Sequence, residues 1–222
     1  VCGIRTQLRY HLDAHGVLAV DASLTRAAEL SPRIGDTAYT VGAFLALLPL
    51  PERATEILDF TGKWCRERSP QRSPFGFGTH LRSAHRGKPG HDSPFLFAAG
   101  TEGFGFGHGE IWAVHLAWSG EQQYLAERLP EGAGAFSSVL GAGEDLHPGE
   151  IILEDGERYD APTALFVWSD DGLDAISDRL HRRLRARDSH PRGPRPLVLN
   201  TWEAVYFDHD LARLTAPVSY TH

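Results

Sequence analysis

The stretch Glu110-Ile-Trp-Ala-Val-His-Leu-Ala-Trp-Ser119 decides the fold class. Read with a period of two, it splits into two faces. Trp112, Val114, Leu116 and Trp118 line one; Ile111, Ala113 and Ala117 line the other. Both faces are largely apolar, which predicts a strand buried between two layers. Strand signals lie on either side of it. Residues 6–12 and 16–27 alternate apolar and polar side chains around a His-Gly turn. In the second of these, Leu18, Val20, Ala22 and Leu24 share a face opposite Asp21, Ser23 and Thr25, which predicts a half-exposed antiparallel strand. Residues 34–39 carry a Gly-Asp turn, and 39–48 predict a strand closed by Pro49 and Pro51. A short strand is expected at 55–60 with a turn at Thr61-Gly62, more strands with small-residue turns at 121–143, and the last at 163–168.

One amphipathic helix follows, at 170–188. Leu173, Ile176, Leu180 and Leu184 recur at steps of three and four, with Asp170 or Asp171 as the natural N-cap. Asp174 and Asp178 are placed to pair with Arg179, Arg182 and Arg183 along it. Ser189-His-Pro-Arg-Gly-Pro-Arg-Pro196 breaks the helix and reads as a linker. After it, composition switches from β-rich to βα. A short apolar run, 196–199, suits a buried parallel strand, with Asn200, Trp202, Glu203 and Tyr206 at its carboxyl end. A helix-compatible segment at 208–215 comes next, with Asp208 or Asp210 as cap and Pro217 as its stop.

Composition excludes several classes. Acidic residues (29) outnumber Lys and Arg (22), and the net charge is −7, so nucleic-acid binding is not expected. No apolar stretch reaches the length of a membrane span, and the first residues do not form a signal peptide. Two cysteines, Cys2 and Cys65, lack CxxC spacing, so no disulfide framework is indicated and a reducing cytoplasm is the default. The chain has no Met and starts in what reads as a strand region, which is the expectation for an internal piece of a longer protein.

Three local patterns invite a chemical reading. His11 and His15 have the i, i+4 spacing of a helical metal pair, but the surrounding pattern is strand and turn, so no metal site is expected there. Arg86, His91 and Asp92 suggest acid/base chemistry; Gly87, Pro89 and Gly90 between them favour a tight loop whose polar groups satisfy its own backbone. Gly100-Thr-Glu-Gly-Phe-Gly-Phe-Gly-His-Gly109 meets neither phosphate-loop pattern.

A longer match concerns Asn200-Thr-Trp-Glu-Ala-Val-Tyr-Phe-Asp208. It resembles the opening of the catalytic barrel in the α-galactosidases of glycoside hydrolase family 36, where the pattern is Asn-Asn/Thr-Trp-Glu-Ala-x-Tyr-Phe after a short strand. Earlier segments agree in order. Leu48-Pro-Leu-Pro51, then Glu56-Ile-Leu-Asp-Phe-Thr-Gly-Lys-Trp64, resemble the Leu-Pro-Leu/Val-Pro and Glu-Ile/Val-Leu-x-Phe-x-Gly-Lys/Arg-Trp of the family's N-terminal β-domain. Arg86–Asp92 resembles its Arg-Gly-x-x-x-His-Asn/Asp segment. Glu110 through Gly120 resembles its Gly-Glu-Val/Ile-Tyr/Trp strand, and Leu146-His-Pro-Gly-Glu150 its Leu-x-Pro-Gly-Glu turn.

The resemblance implies a mainly β fold. A supersandwich-like antiparallel β-sandwich (1–168) would precede a linker helix and Pro-rich linker (169–195) and the start of a (β/α)8 barrel (196–222). It implies a retaining α-galactosidase acting on raffinose- or melibiose-like oligosaccharides, with both catalytic carboxylates on later barrel strands, beyond residue 222. No catalytic residue is therefore expected in this chain, and no activity from it alone. Substrate-binding candidates are Trp202, matching the aromatic wall of the galactose pocket, with Glu203 and Asn200 beside it. The alternative role for Trp202 and Tyr206 is ordinary core packing. No cofactor or metal is implied, since two carboxylates suffice. Expected partners are α-galactoside oligosaccharides and, in the full-length protein, further copies of itself. A different class also fits: a non-catalytic carbohydrate-binding or oligomerisation module. The tail departs from the family after Leu214, where Thr-Ala-Pro-Val-Ser-Tyr-Thr-His replaces a continuing helix.

Overall fold

Residues 111–116 form a strand hydrogen-bonded on both sides and covered on both faces. In the computed structural model, which describes residues 3–27, 29, 38–93, 95–130, 137–198 and 200–220, the chain begins with β1 (Ile4–Leu12), β2 (Val17–Arg26), β3 (Tyr39–Val41), β4 (Leu45–Leu50), β5 (Glu56–Lys63), β6 (Arg66–Pro74) and β7 (Gly78–Ser83). It continues through β8 (Phe97–Gly100), β9 (Ile111–Leu116), β10 (Gln122–Arg128), β11 (Ser138–Glu144), β12 (Ile151–Leu153), β13 (Arg158–Asp160) and β14 (Ala164–Ser169). Three helices follow, α1 (Gly172–Arg185), α2 (Trp202–Val205) and α3 (Leu211–Tyr220).

The large antiparallel sheet has the order β1-β2-β14-β9-β8-β5-β6, with β13 also paired to β2. A smaller sheet, β4-β11-β10-β7, covers one face, and β12-β3 forms a separate ribbon. The sandwich core lies between the first two. Val114 and Leu116 of β9 meet Val20, Phe97, Phe166, Leu140 and Tyr124 there. Tyr124 is 1% exposed, yet its hydroxyl is satisfied: it donates to Gln122 Oε1 at 2.9 Å and accepts from Leu116 N–H at 3.3 Å. Burial pushes its phenol up to about 12.

The opposite face of the large sheet is covered by α1. Ile111 and Ala113 of β9 join Val17, Ala19, Leu165 and Val167 in a second core, closed by Ile176, Leu173 and Leu180 of the helix. The two-sided apolar pattern of β9 thus has a cause on each side, a sheet and a helix. Leu184, expected in the same stripe, is 46% exposed near the helix end. The helix pairs Asp178 with Arg182 along itself at 2.7 Å. Arg183 reaches instead to Asp13, in the turn between β1 and β2, at 2.6 Å.

The N-terminus of α1 explains the glycine-rich run before β9. Asp171 occupies the cap position, as the spacing predicts, but its side chain makes no capping bond. The N–H groups of Gly172, Leu173 and Asp174 donate instead to the carbonyls of Gly109, Gly105 and Phe106, at 3.1, 3.0 and 2.9 Å. The first N–H groups of a helix lack internal partners, and here a loop from before β9 supplies them. The loop comes so close that a Cβ at Gly172 would sit 2.3 Å from the Phe106 carbonyl oxygen.

Several expectations need correction. The polar face of β2 is less exposed than expected: Ser23 is 3% exposed, Asp21 and Thr25 are partly buried, and Thr163 Oγ1 donates to the Asp21 carboxylate at 2.6 Å. Trp118 does not share the face of Trp112. β9 ends at Leu116, the chain turns as Ala117 N–H bonds Thr163 O, and Trp118 is 43% exposed. The strand expected over 39–48 is two, β3 pairing with β12 and β4 with β11. β5 runs through Thr61-Gly62 with a register shift, and the reversal follows at Trp64-Cys65, where Cys65 has φ 63°. The Gly-Asp turn expected at 34–39 falls mostly outside the described residues.

The chain divides into two compact units, Val1–Ala186 and Arg187–His222, so α1 belongs with the sheets. Within the second unit the strand expected at 196–199 does not form among the described residues. Leu197 and Val198 are 88% and 79% exposed. A strand is held by ladder bonds to a neighbour, and among the described residues none pairs with this segment. Helix α3 starts after Asp210, whose Oδ1 accepts the N–H groups of Ala212 and Arg213 at 3.0 and 3.2 Å. It runs on to Tyr220, so Pro217 does not end it. No helix among the described residues is long and apolar enough to cross a membrane.

Candidate functional site

Asn200, Trp202 and Glu203 come together on one short turn of the second unit. Asn200 Oδ1 accepts the N–H of Trp202 at 3.0 Å, which starts α2. Val205 N–H closes the turn on Thr201 O and Tyr206 N–H on Trp202 O. Tyr206 then takes φ 46°, a left-handed conformation that a side chain adopts at a cost of about 1–3 kcal/mol. That reversal folds two rings back on the indole. Tyr206 and Phe207 both meet Trp202 edge-on, with centroids 5.5 and 5.1 Å away. The Tyr206 hydroxyl donates to Glu203 Oε2 at 3.2 Å. Trp202 and Tyr206 stay about half exposed, 49% and 53%, so neither is a core aromatic within this unit.

This arrangement presents an indole, a carboxylate and a side-chain amide to solvent side by side. An aromatic surface flanked by acceptors and donors suits a sugar, whose C–H faces pack on rings while its hydroxyls bond to polar edges. It does not make a hydrolytic pair. Retaining hydrolysis takes two carboxyl groups about 5 Å apart. Of the neighbouring acids, Asp208 is ion-paired to Arg213 and Asp210 caps α3.

The other sequence candidates are placed apart from this group. His11 lies on β1 opposite Ala19, and His15 in the turn that follows, where its N–H donates to Asp13. A helix would have stacked their rings; a strand and a turn do not. The polar groups of the 86–92 segment are taken up in loop-holding contacts, several of them with side chains outside it. Arg86 pairs with Asp92 at 3.3 Å, His91 faces Glu67 at 3.8 Å, and Arg82 donates to the Asp92 carbonyl at 3.0 Å.

Sequence reading did not single out a third group, His85, Glu121, Asp145 and His147. All four stand at one end of the smaller sheet, after β7, before β10 and after β11. Glu121 accepts Gly87 N–H at 2.8 Å and faces His147 Nε2 at 2.6 Å. The Gly87 N–H and the His147 ring hold its carboxyl below the usual range. Only the register of β10 with β7 and β11 unites these residues, and no local spacing announces it.

Two family profiles cover the chain in sequence: the glycosyl hydrolase family 36 N-terminal domain over residues 1–154, and Melibiase over 158–219. The chain belongs to glycosyl hydrolase family 36. It is 34% identical over 214 residues to an alpha-galactosidase of Escherichia coli, covering 95% of this chain and 28% of that protein. It is 26% identical over 190 residues to the alpha-galactosidase AgaA of Geobacillus stearothermophilus, covering 83% of this chain and 25% of the relative. The crystal structure of an AgaA variant in complex with raffinose superposes with a TM-score of 0.80 at 22% identity, over 97% of this chain and 29% of that one. The galactosidase domain of AgaSK superposes with a TM-score of 0.78 at 25% identity, over 93% of this chain and 28% of that one. The family 36 chain described here therefore spans little more than a quarter of the length of these relatives.

Proposed function

We propose that this chain is the N-terminal β-sandwich, linker and first barrel segment of a retaining α-galactosidase that releases terminal α-linked galactose from raffinose- and melibiose-like oligosaccharides. The observation that carries the reading is the order of the two profile matches on one chain, a family 36 N-terminal domain followed at once by Melibiase. The parts are a sandwich over 1–168, a linker helix and Pro-rich linker over 169–195, and a first βα unit from 196. Trp202 walls the galactose site, with Glu203 and Asn200 bonding hydroxyls. The exposed, free thiol of Cys65 suits a reducing cytoplasm, and the full-length protein assembles with copies of itself.

On this reading the 222 residues alone do not hydrolyse α-galactosides, because the carboxylate pair that forms and breaks the glycosyl-enzyme bond is not among them. Purified chain incubated with an aryl α-galactoside is expected to match a blank preparation, and turnover above the blank refutes the proposal. The downstream coding sequence separates the alternatives. Continuation into a barrel supports the enzyme. A stop codon after residue 222, with α-galactoside bound but not cleaved, identifies a carbohydrate-binding module instead.

A further inference from the structure

We propose that His85, Glu121 and His147 form a binding site for a divalent transition ion of the zinc class, with Asp145 orienting His85. One ligand atom from each of the three lies within 4.8 Å of the others. Zinc bonds of about 2.0–2.2 Å at tetrahedral angles put ligand atoms about 3.3 Å apart. The 2.6 Å contact between His147 Nε2 and Glu121 Oε2 then opens by less than an ångström as the ion enters. Both imidazoles are largely exposed, 60% and 59% by side chain, and free to make that adjustment.

A second observation concerns the carboxylate behind His85. Asp145 is 7% exposed; its Oδ1 accepts from Gln123 Nε2 at 3.4 Å, while its Oδ2 is buried without a hydrogen-bond partner. That oxygen lies 3.2 Å from His85 Nε2, although the geometry makes no hydrogen bond. A buried carboxylate oxygen left unsatisfied is costly. Metal-bound imidazoles commonly turn their second nitrogen to such a carboxylate, which fixes tautomer and ring orientation. With its Nε2–H turned to Asp145, His85 would hold the ion through Nδ1, and the carboxylate would be satisfied in the same arrangement. Two imidazole nitrogens with carboxylate oxygen select zinc, cobalt, nickel or copper over calcium and magnesium, which prefer oxygen alone.

The ion would tie three chain segments at one sheet end: the loop after β7, the start of β10 and the turn after β11. It lies in the β-sandwich unit, and its three protein ligands leave a fourth position for water.

The test is titration of the purified, tag-free chain with Zn2+ by calorimetry and with Co2+ by absorption. One saturable equivalent in the micromolar range, a Co2+ spectrum of nitrogen and oxygen ligands and a Zn2+-raised Tm are expected. His147→Ala and Glu121→Gln should each weaken binding at least about tenfold, and Asp145→Asn by about 10–100-fold, the usual effect of losing an orienting partner. His181→Ala, on the exposed face of α1, should leave it unchanged. Glu121→Gln keeps an acceptor for Gly87 N–H, so it reports on the ion even where His147→Ala misfolds. Absence of saturable binding, or binding that these three substitutions leave intact, overturns the proposal.

Discussion

Trp202 is held by a small set of contacts that give its ring one orientation: the Asn200 side chain on its backbone, and the edges of Tyr206 and Phe207 against the indole. Nearly half of it remains in water. Such a residue contributes little to packing within its unit and has a surface to offer. On the proposed α-galactosidase reading, Trp202→Ala in the full-length protein is expected to lower kcat/KM by about 1–3 kcal/mol, the range for removing one large apolar contact, with Tm nearly unchanged. A core tryptophan would do the reverse, costing about 3–5 kcal/mol of stability while catalysis per folded molecule stayed constant. Tm and kcat/KM measured on one mutant preparation separate the two. The residue types of this group were legible in the sequence because they are contiguous. Their mutual geometry was not, since it depends on the positive φ of Tyr206, a conformation that side-chain type does not announce.

Helix α1 shows how an element depends on chain far from it. Its first N–H groups are satisfied by carbonyls of the loop before β9, and Gly172 is the point of closest approach, at φ 77°. A methyl group there would strike the Phe106 carbonyl and demand a backbone conformation that costs about 1–3 kcal/mol by itself. Gly172→Ala is therefore expected to lower Tm by roughly 2–4 °C for each kcal/mol lost, a scale set by domain size; calorimetry showing an unchanged Tm would contradict the capping role. The helix itself was readable from Leu173, Ile176 and Leu180, and the two-layer burial of β9 from its own alternation. Illegible were the elements defined by partners. Residues 39–48 look like one strand but serve two sheets. Residues 196–199 look like a strand, but among the described residues 196–198 have no ladder partner. His85, Glu121, Asp145 and His147 are brought together by sheet register alone.

Across the β-sandwich unit, Asp13 and Arg183 join the first hairpin to α1, residues nearly the full unit apart in sequence. Burial pushes the Asp13 carboxyl up, but the N–H groups of Val17 and His15 and the Arg183 guanidinium together hold it below its ordinary 3.8. A carboxylate with a lowered folded value binds protons more readily when unfolded. Its contribution is complete above the unfolded value and fades as pH falls through the folded one. Tm is thus expected to drop on acidification below about pH 4, and Asp13→Asn should flatten that limb while costing about 1–3 kcal/mol at neutral pH. Parallel Tm–pH curves for the two proteins check the sign. The strand order carries a further consequence, for synthesis. β14 lies between β2 and β9 and pairs Ala164 with both Val20 and Leu116. A ribosome must therefore deliver the last strand of the sandwich before the middle of the large sheet can close. Until then β2 and β9 wait on the nascent chain with open edges and apolar faces, the condition in which long-range β structure is slow to form and is a client for holding chaperones.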